Sequence, residues 1–468
     1  MTNNSYNEVM ARRSEIIKKA VGIDYGKYEI DRIAFDYEQM MNDVGYSLDE
    51  VRRIQLDRAV GNTPLIELRN ITELARKYAP AGHGARIFVK DEAANASGSY
   101  KARRAALSVY EAKKKGYKGV IAATSGNYGA AVASQAAMAG LRSIIVQETY
   151  DSRGVGQPEI IEKARKCEAL GAEVVQLSVG PELFYSVLLL LEKTGYYNAS
   201  LYTPTAVASV ETLGYEIAEQ CREKLGRDPD VVIATNAGGG NLTGTARGLI
   251  KANCKAKVVA ASVNLRGLHM ASDTQFNKKS FTTGHTGFGM PFSTWPDRTD
   301  VPRSAARPMR YMEDYLTVAQ GEVFYITEML ATLEGLEKGP AGNTALAVAF
   351  GYAQTMPRDA ILVVQETECT GAGKHVQPQL SFARDNGIDI HFGNPKDEVP
   401  GESIILPEDP SLIAPIKQDM NRLRQSLIRN ATKELQEELT NEEVNFLADE
   451  TNTNANYVKD VVNRLQEK

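Results

Sequence analysis

Residues 230–250 read DVVIATNAGGGNLTGTARGLI. An apolar run without polar alternation stops at a small, glycine-rich turn, and a helix-prone stretch follows. Such a run is buried on both faces, as in a parallel sheet whose crossovers are helices. The same pattern recurs between about residues 60 and 370, in ARIFVK, GVIAATS, SIIVQE, AEVVQLS, KVVAASV and AILVVQET, each separated from the next by helical stretches. It predicts a doubly wound α/β core with right-handed crossovers. Folds of this kind bind ligands beyond the C-terminal ends of their strands. The turns that follow these runs are therefore the places to look for chemistry.

At 468 residues the chain exceeds one small core and is expected to divide into domains. Hydrophobic residues make up 43% and charged residues 24%, the balance of a soluble globular protein. A net charge of −5 argues against DNA or an anionic membrane as partner. The opening MTNNSYNEVMARRSEI lacks the apolar core of a secretory signal, and the apolar part of FYSVLLLLEK, from residue 184, is too short for a bilayer. Cys167, Cys221, Cys254 and Cys369 are far apart without a CxxC pair, and no HxxxH pair exists. Disulfides and metal sites are not expected, and a reducing cytoplasm is the expected compartment.

Residues 1–59 read as an N-terminal helical extension, with SLDEVRRIQLDRAV as an example. Near residue 395 the texture changes again. NPKDEVPGESIILPEDPS reads as a Pro- and Gly-containing linker, and 395–468 as a C-terminal helical extension. Thr440 and Glu443 have capping-box spacing. The last helices carry more acids (Glu442, Glu443, Asp449, Glu450, Asp460, Glu467) than bases, the wrong sign for phosphate contacts. They are expected to dock on the core or on another subunit.

Three turns carry candidate chemistry. In 236–241, Gly238, Gly239 and Gly240 free consecutive amides to close on an anion at a helix N-terminus. A GK[ST] ending is absent, position 243 is Thr where a dinucleotide fingerprint needs Gly, and KVVAASVNLRG supplies no acid for a ribose. A phosphate monoester suits the loop better than NAD or ATP; a glycine turn chosen for close helix–sheet packing is the other reading. In TSGN, Thr124, Ser125, Gly126 and Asn127 form a nest for a carboxylate, or an ordinary helix cap. In NASGSYKARRAA, Lys101 opens an alanine-rich helix, where desolvation and the helix dipole lower an ammonium pKa. It is either a Schiff-base nucleophile or a solvated lysine. An amine, a carboxylate nest and a phosphate cradle on the turns of one α/β core together describe a site for pyridoxal 5′-phosphate.

VKDEAANASGSYKARRA, ATSGNYGAA and NAGGGNLTG, with NTPL at 62–65 and ETLGYEI at 211–217, occur in the order found in fold type II pyridoxal-phosphate enzymes. The chain resembles that family, the tryptophan synthase β and threonine synthase group, over about residues 60 to 375. The resemblance implies two doubly wound parallel-sheet domains with the cofactor between them: 60–95 with 200–394 as the larger, 96–199 as the smaller. It makes Lys101 the lysine that carries the cofactor. Asn127 would contact the phenolic oxygen, and Gly238, Gly239, Gly240 and Asn241 the phosphate. Thr124, Ser125 and Gly126 would hold the substrate carboxylate. Thr370 is expected at the pyridine nitrogen, with Thr367 and Cys369 as rivals.

The N-terminal helices, the KARR sequence and the helical tail are similar to one branch of the family, thiolase β subunits acting on an amino-ketone. That likeness implies cleavage of 2-amino-4-oxopentanoate by coenzyme A, as cosubstrate, to alanine and acetyl-CoA. It also implies a small α subunit as partner, and self-association. A β-eliminating or threonine-synthase-like enzyme is the alternative, and a non-catalytic binding protein on the same scaffold the second.

Overall fold

The computed structural model describes residues 4–124, 126–151, 153–180, 182–265, 280–283, 300–369 and 376–466. Thirteen strands are described: β1 (Leu65–Glu67), β2 (Arg86–Asp91), β3 (Gly119–Thr124), β4 (Arg142–Tyr150), β5 (Glu173–Ser178), β6 (Tyr197–Asn198), β7 (Val231–Thr235), β8 (Lys257–Val263), β9 (Asp314–Val318), β10 (Ile361–Glu366), β11 (Asp389–Gly393), β12 (Ser403–Pro407) and β13 (Ile416–Lys417). All seven apolar runs picked out in the sequence are among them. In the large sheet they are buried on both faces: Val231, Val232, Ile233 and Ala234 of β7 are buried, as is every residue of β10, whereas β5 of the small sheet is partly exposed along its length.

The strands form two main sheets. The larger has the order β1-β2-β10-β7-β8-β9-β13, the smaller β5-β4-β3-β6. The smaller is parallel throughout. The larger is parallel from β2 to β9, and its edges β1 and β13 run antiparallel. The chain thus starts the large sheet, leaves to build the small one, and returns. On its return β10 inserts between β2 and β7, pairing Val363 with Phe88 on one side and Val232 on the other.

Helices cover both faces of the large sheet. On one face, Arg69–Tyr78, Gln320–Glu334 and Pro340–Ala353 share a core with Val89, Ile233 and Val364. On the other, Glu211–Leu225 and Gly240–Lys251 pack on Val232, Ala260 and Val363. This last pair is in backbone contact. A Cβ on Gly214 would collide with the Thr245 carbonyl, and one on Gly248 with the Glu211 carbonyl. Close approach is therefore one reason for the glycines of this segment.

The two terminal extensions share a core. Val9, Ile17, Val21 and Tyr37 from the first forty residues join Ile428, Phe446, Leu447 and Val458 from the last helices. Arg32 Nη2 joins the two extensions through Glu443 at 2.7 Å, and Glu450 fastens them to the body of the chain through Arg307 Nη1 at 2.5 Å and Arg310 Nη1 at 3.1 Å. The acid-rich tail thus docks on its own core, where Glu450 meets the buried Arg307. The Thr440–Glu443 capping box is present.

The stretch 395–417, read as a linker at the head of a purely helical extension, contains β12 and β13. The apolar run Ile404–Ile405 pairs with β11 and is buried. Glu398 fastens this segment to the α/β core. Its carboxylate accepts from the amides of Gln320 at 2.8 Å, Gly321 at 2.9 Å and Ile405 at 3.1 Å, at the N-terminus of helix Gln320–Glu334. Burial, set against those amides, raises its pKa to about 7. A carboxyl whose folded pKa lies above its unfolded value contributes stability fully present below about pH 4, lost as pH rises through about 7. Glu398→Gln mimics the protonated form. It is expected to match wild type near pH 5 and to flatten the decline between pH 5 and 8, by on the order of 1–3 kcal/mol, in urea melts across that range.

Among the described residues, no helix is long and apolar enough to cross a membrane, and no cluster of His, Cys, Asp and Glu could hold a metal ion.

Candidate active site

The C-terminal ends of β2, β3, β7 and β10 open on one cavity of about 150 Å³. Lys101, Thr124, Gly126, Asn127, Gly238, Gly239, Gly240 and Asn241 all reach its wall. The three turns singled out in the sequence therefore converge. Ser125 and Thr370 lie outside the described residues.

Lys101 is the first residue of helix Lys101–Lys114 and is half-buried, its Nζ 5.1 Å from the centre of the Tyr100 ring. The loop before it is laced to the end of β10. Tyr100 N donates to Thr367 O at 3.1 Å, and Cys369 N to Gly98 O at 2.8 Å. Gly98 has φ +77°, and a Cβ there would strike the Cys369 carbonyl, so only glycine allows this lacing.

Behind the lysine, the same helix is anchored by charge. Arg103 is inaccessible to solvent and forks onto Glu92 (2.7 and 2.8 Å) and Glu216 (3.0 and 2.8 Å). Lys90 completes the group, with Nζ 3.0 Å from Glu216. Burial would raise the Glu216 carboxyl, but Arg103 and then Lys90 outweigh it and hold it well below the ordinary carboxylate range.

At the second turn, the Thr124 hydroxyl accepts from Gly126 N at 2.9 Å and Gly129 N at 3.1 Å. It holds the start of helix Asn127–Ala139, so the capping reading applies to it, while its residue still borders the cavity. Asn127 is buried; its Nδ2 donates to the Glu368 carboxylate and its Oδ1 has no partner. At the third turn, Gly239 has φ +82° and lies against Pro308, whose ring a Cβ would meet at 2.5 Å. A Cβ on Gly238 would strike the Tyr202 hydroxyl, and one on Gly240 the Arg104 guanidinium. Gly240 opens helix Gly240–Lys251, whose first amides face the cavity end of the loop.

Cavity residues that escaped sequence reasoning include Glu368, Lys163, Tyr202 and Arg104. Glu368 follows β10 directly, where Thr370, Thr367 or Cys369 was expected; Thr367 shares the wall with it. Cys369 contributes its backbone to the Gly98 contact. Just before them, Glu366 is buried, and burial together with the Glu368 charge raises its carboxyl well above the ordinary value. Lys163 is buried beside Gly126 and pairs with Glu159 at 2.5 Å; nothing distinguishes helix Pro158–Ala169 from a surface helix in sequence. Tyr202 stands over Gly238. Arg104 was legible only as the second arginine of KARR.

Among the described residues, several buried polar atoms around this cavity lack partners: Asn127 Oδ1, both side-chain ends of Asn236, Asn241 Oδ1, and Arg104 Nε and Nη2. Buried polar groups are ordinarily paired, so this cluster calls for a polar ligand. An amine, a carboxylate nest and a glycine cradle at a helix N-terminus, with acceptors and donors still to be met, suit a cofactor that bears an aldehyde, a phenolic oxygen and a phosphate.

The relatives of the chain agree. The chain is 70% identical over 463 residues, 99% of either chain, to the 2-amino-4-ketopentanoate thiolase beta subunit of Acetoanaerobium sticklandii. It is 61% identical over 465 residues, 99% of this chain and 98% of the other, to a protein of the same name from an unknown prokaryotic organism. Among solved structures, the cysteine synthase of Entamoeba histolytica superposes with a TM-score of 0.52 at 20% identity, over 70% of this chain and 94% of that one, a likeness of fold. A family model described as pyridoxal-phosphate dependent enzyme matches residues 56–366, which span every strand bordering the cavity. The lysine, the nest and the cradle thus lie inside the part of the chain that the family shares, and the chain belongs to the pyridoxal-phosphate dependent enzymes.

Proposed function

We propose that this chain is the β subunit of a thiolase that cleaves 2-amino-4-oxopentanoate with coenzyme A to alanine and acetyl-CoA, in ornithine breakdown. The observation that carries the reading is 70% identity over 99% of the chain to a protein of that name, joined to the convergence of Lys101, Asn127 and the glycine loop on one cavity. The β-subunit name of both relatives supports a small α subunit as partner. Coenzyme A is the cosubstrate.

Lys101 would hold the cofactor's aldehyde carbon. Gly238, Gly239, Gly240 and Asn241 would hold its phosphate, Asn127 its phenolic oxygen and Thr370 its ring nitrogen. When bound, pyridoxal phosphate supplies an electron sink for the substrate's Cα and, beyond it, C3. Lys101 Nζ would be the base that takes the proton from Cα. Thr124, Ser125 and Gly126 would hold the substrate carboxylate so that Cα faces that amine. Asn127, tied to Glu368, keeps the wall beside it in place. Net, the sulfur of coenzyme A bonds to C4, the C3–C4 bond breaks with its electrons left on C3, and the thiol proton ends on C3 as the methyl group of alanine. None of Cys167, Cys221 and Cys254 can serve as a nucleophile: all are buried, and burial raises each thiol.

The test mixes the purified chain, with and without its small partner, with the amino-ketone and coenzyme A. Acetyl-CoA and alanine in equal amounts, formed at full rate only with the partner, are expected. Ammonia and a keto acid would instead make it a lyase, and full-rate cleavage by the isolated chain would remove the need for the partner.

A further inference from the structure

Among the described residues, Arg104 is a buried charged residue of this cavity with side-chain donors left unpaired. It is 2% exposed and lies one helical turn after Lys101. Its guanidinium reaches the glycine loop, where Nη2 occupies the space a Cβ on Gly240 would need. Nη1 donates to the Leu201 carbonyl at 3.3 Å, and the group lies 5.4 Å from the centre of the Tyr100 ring. Among the described residues, Nε and Nη2 have no partner. The contrast with its neighbour is direct, since Arg103 spends its donors on Glu92, Glu216 and Thr212. A guanidinium does not shed its proton, and a buried, uncompensated charge costs several kcal/mol. Such a group requires an anion.

We propose that Arg104 is the counter-charge of the cofactor phosphate, so that one turn of helix holds both ends of the cofactor's reactive edge. The inference rests on the cofactor reading above and adds to it a phosphate-dianion site with a full positive charge. Three observations converge. The guanidinium abuts Gly240, the first residue of the helix whose N-terminal amides favour an anion. Its fork geometry suits two phosphate oxygens at once. And in pyridoxal phosphate the ring carbon bearing the aldehyde is bonded to the one bearing the phosphate arm. The amine and the phosphate's cation must therefore be neighbours on the protein. Positions 101 and 104 are three apart on a helix, and such side chains sit about 5–6 Å apart at Cβ. The reading above gives the substrate carboxylate a separate place, at Gly126, which lies beside Lys163.

Apoprotein is titrated with pyridoxal phosphate and, separately, with pyridoxal, following the visible band of the bound cofactor. Wild type is expected to prefer the phosphorylated form strongly. Arg104→Met should lose on the order of 100-fold in affinity for pyridoxal phosphate, the size of a charge-assisted hydrogen-bond pair, with affinity for pyridoxal unchanged. Adding inorganic phosphate should strengthen pyridoxal binding in wild type and not in the variant. A second measurement uses the wild-type holoenzyme: by ³¹P NMR the bound phosphate should stay dianionic at about pH 5, below its ordinary second pKa of about 6. Equal losses for both ligands would reduce Arg104 to a structural part. Unchanged cofactor affinity with a raised KM for the amino acid would assign it to the substrate carboxylate. A phosphate that titrates near its ordinary pKa would also overturn the proposal. Wild type that shows no band with pyridoxal phosphate at all would sink the cofactor reading itself, a separate result.

Discussion

Lys101→Ala is expected to abolish the visible absorbance of the bound cofactor and to lower the rate of acetyl-CoA formation by on the order of 10³–10⁴-fold, the upper range for loss of a positioned base. The fold should survive. Alanine is the best helix former at the first position of Lys101–Lys114, and the helix keeps its anchor through Arg103. The amides of the glycine loop and Arg104 remain, so the variant should still bind pyridoxal phosphate, now without the covalent link that borohydride traps in wild type. Spectra before and after borohydride, with the coupled assay for acetyl-CoA, check this. A visible, borohydride-trapped band in the variant would give the cofactor to another amine, and Lys163 is the other lysine on this cavity.

The second large effect lies behind the site. Arg103→Met would leave Glu92 and Glu216 buried with Lys90 as the remaining cation in ion-pair contact among the described residues, and breaking such a pair costs about 3–5 kcal/mol. The pH dependence follows from the shifts. For Glu92, burial pushes the carboxyl up, but Arg103 pulls it further down, as in Glu216. Their folded pKa values lie below the unfolded ones, so they contribute stability above about pH 4, lost as pH falls below it. Without Arg103, burial raises the two acids instead. The variant's deficit should then be greatest at neutral pH and shrink toward pH 5, where protonation relieves it. Urea midpoints at pH 5 and 7 measure it. A deficit independent of pH would mean the loss is one of packing alone. Because Arg103 stands two residues from Lys101, the surviving folded fraction should also bind the cofactor more loosely.

How much was legible in advance differs from element to element. β7 and β10 could be read because each is buried on both faces, and burial on both faces writes an unbroken apolar run. β9, DYLTV, escaped because Asp314 and Thr317 interrupt its run, and β12 because Pro400, Gly401 and Pro407 around it signal a linker. Lys101, Asn127 and the glycine loop were legible because each sits where a strand meets a helix, and those junctions are local. Glu368 and Lys163 were not. Their place in the site depends on partners such as Asn127 and Gly126, which are far from them in the chain.

Sequence by itself determined the seven apolar-run strands and the three turns, each from periodicity or spacing within some twenty residues, and the family from the order of those turns along the chain. Tertiary structure decided what those turns face. The insertion of β10 between β2 and β7 brings Thr367 and Glu368 opposite Asn127. The docking of the last helices on the first forty residues turns an acid-rich tail into part of the core. The two arginines of KARR receive opposite environments, Arg103 between two carboxylates and Arg104 beneath the Gly240 loop. The physical reason is common to all three. Pairing between distant segments is set by how sheets and helices bury their faces together, and the charge a side chain meets there is a property of the assembled fold.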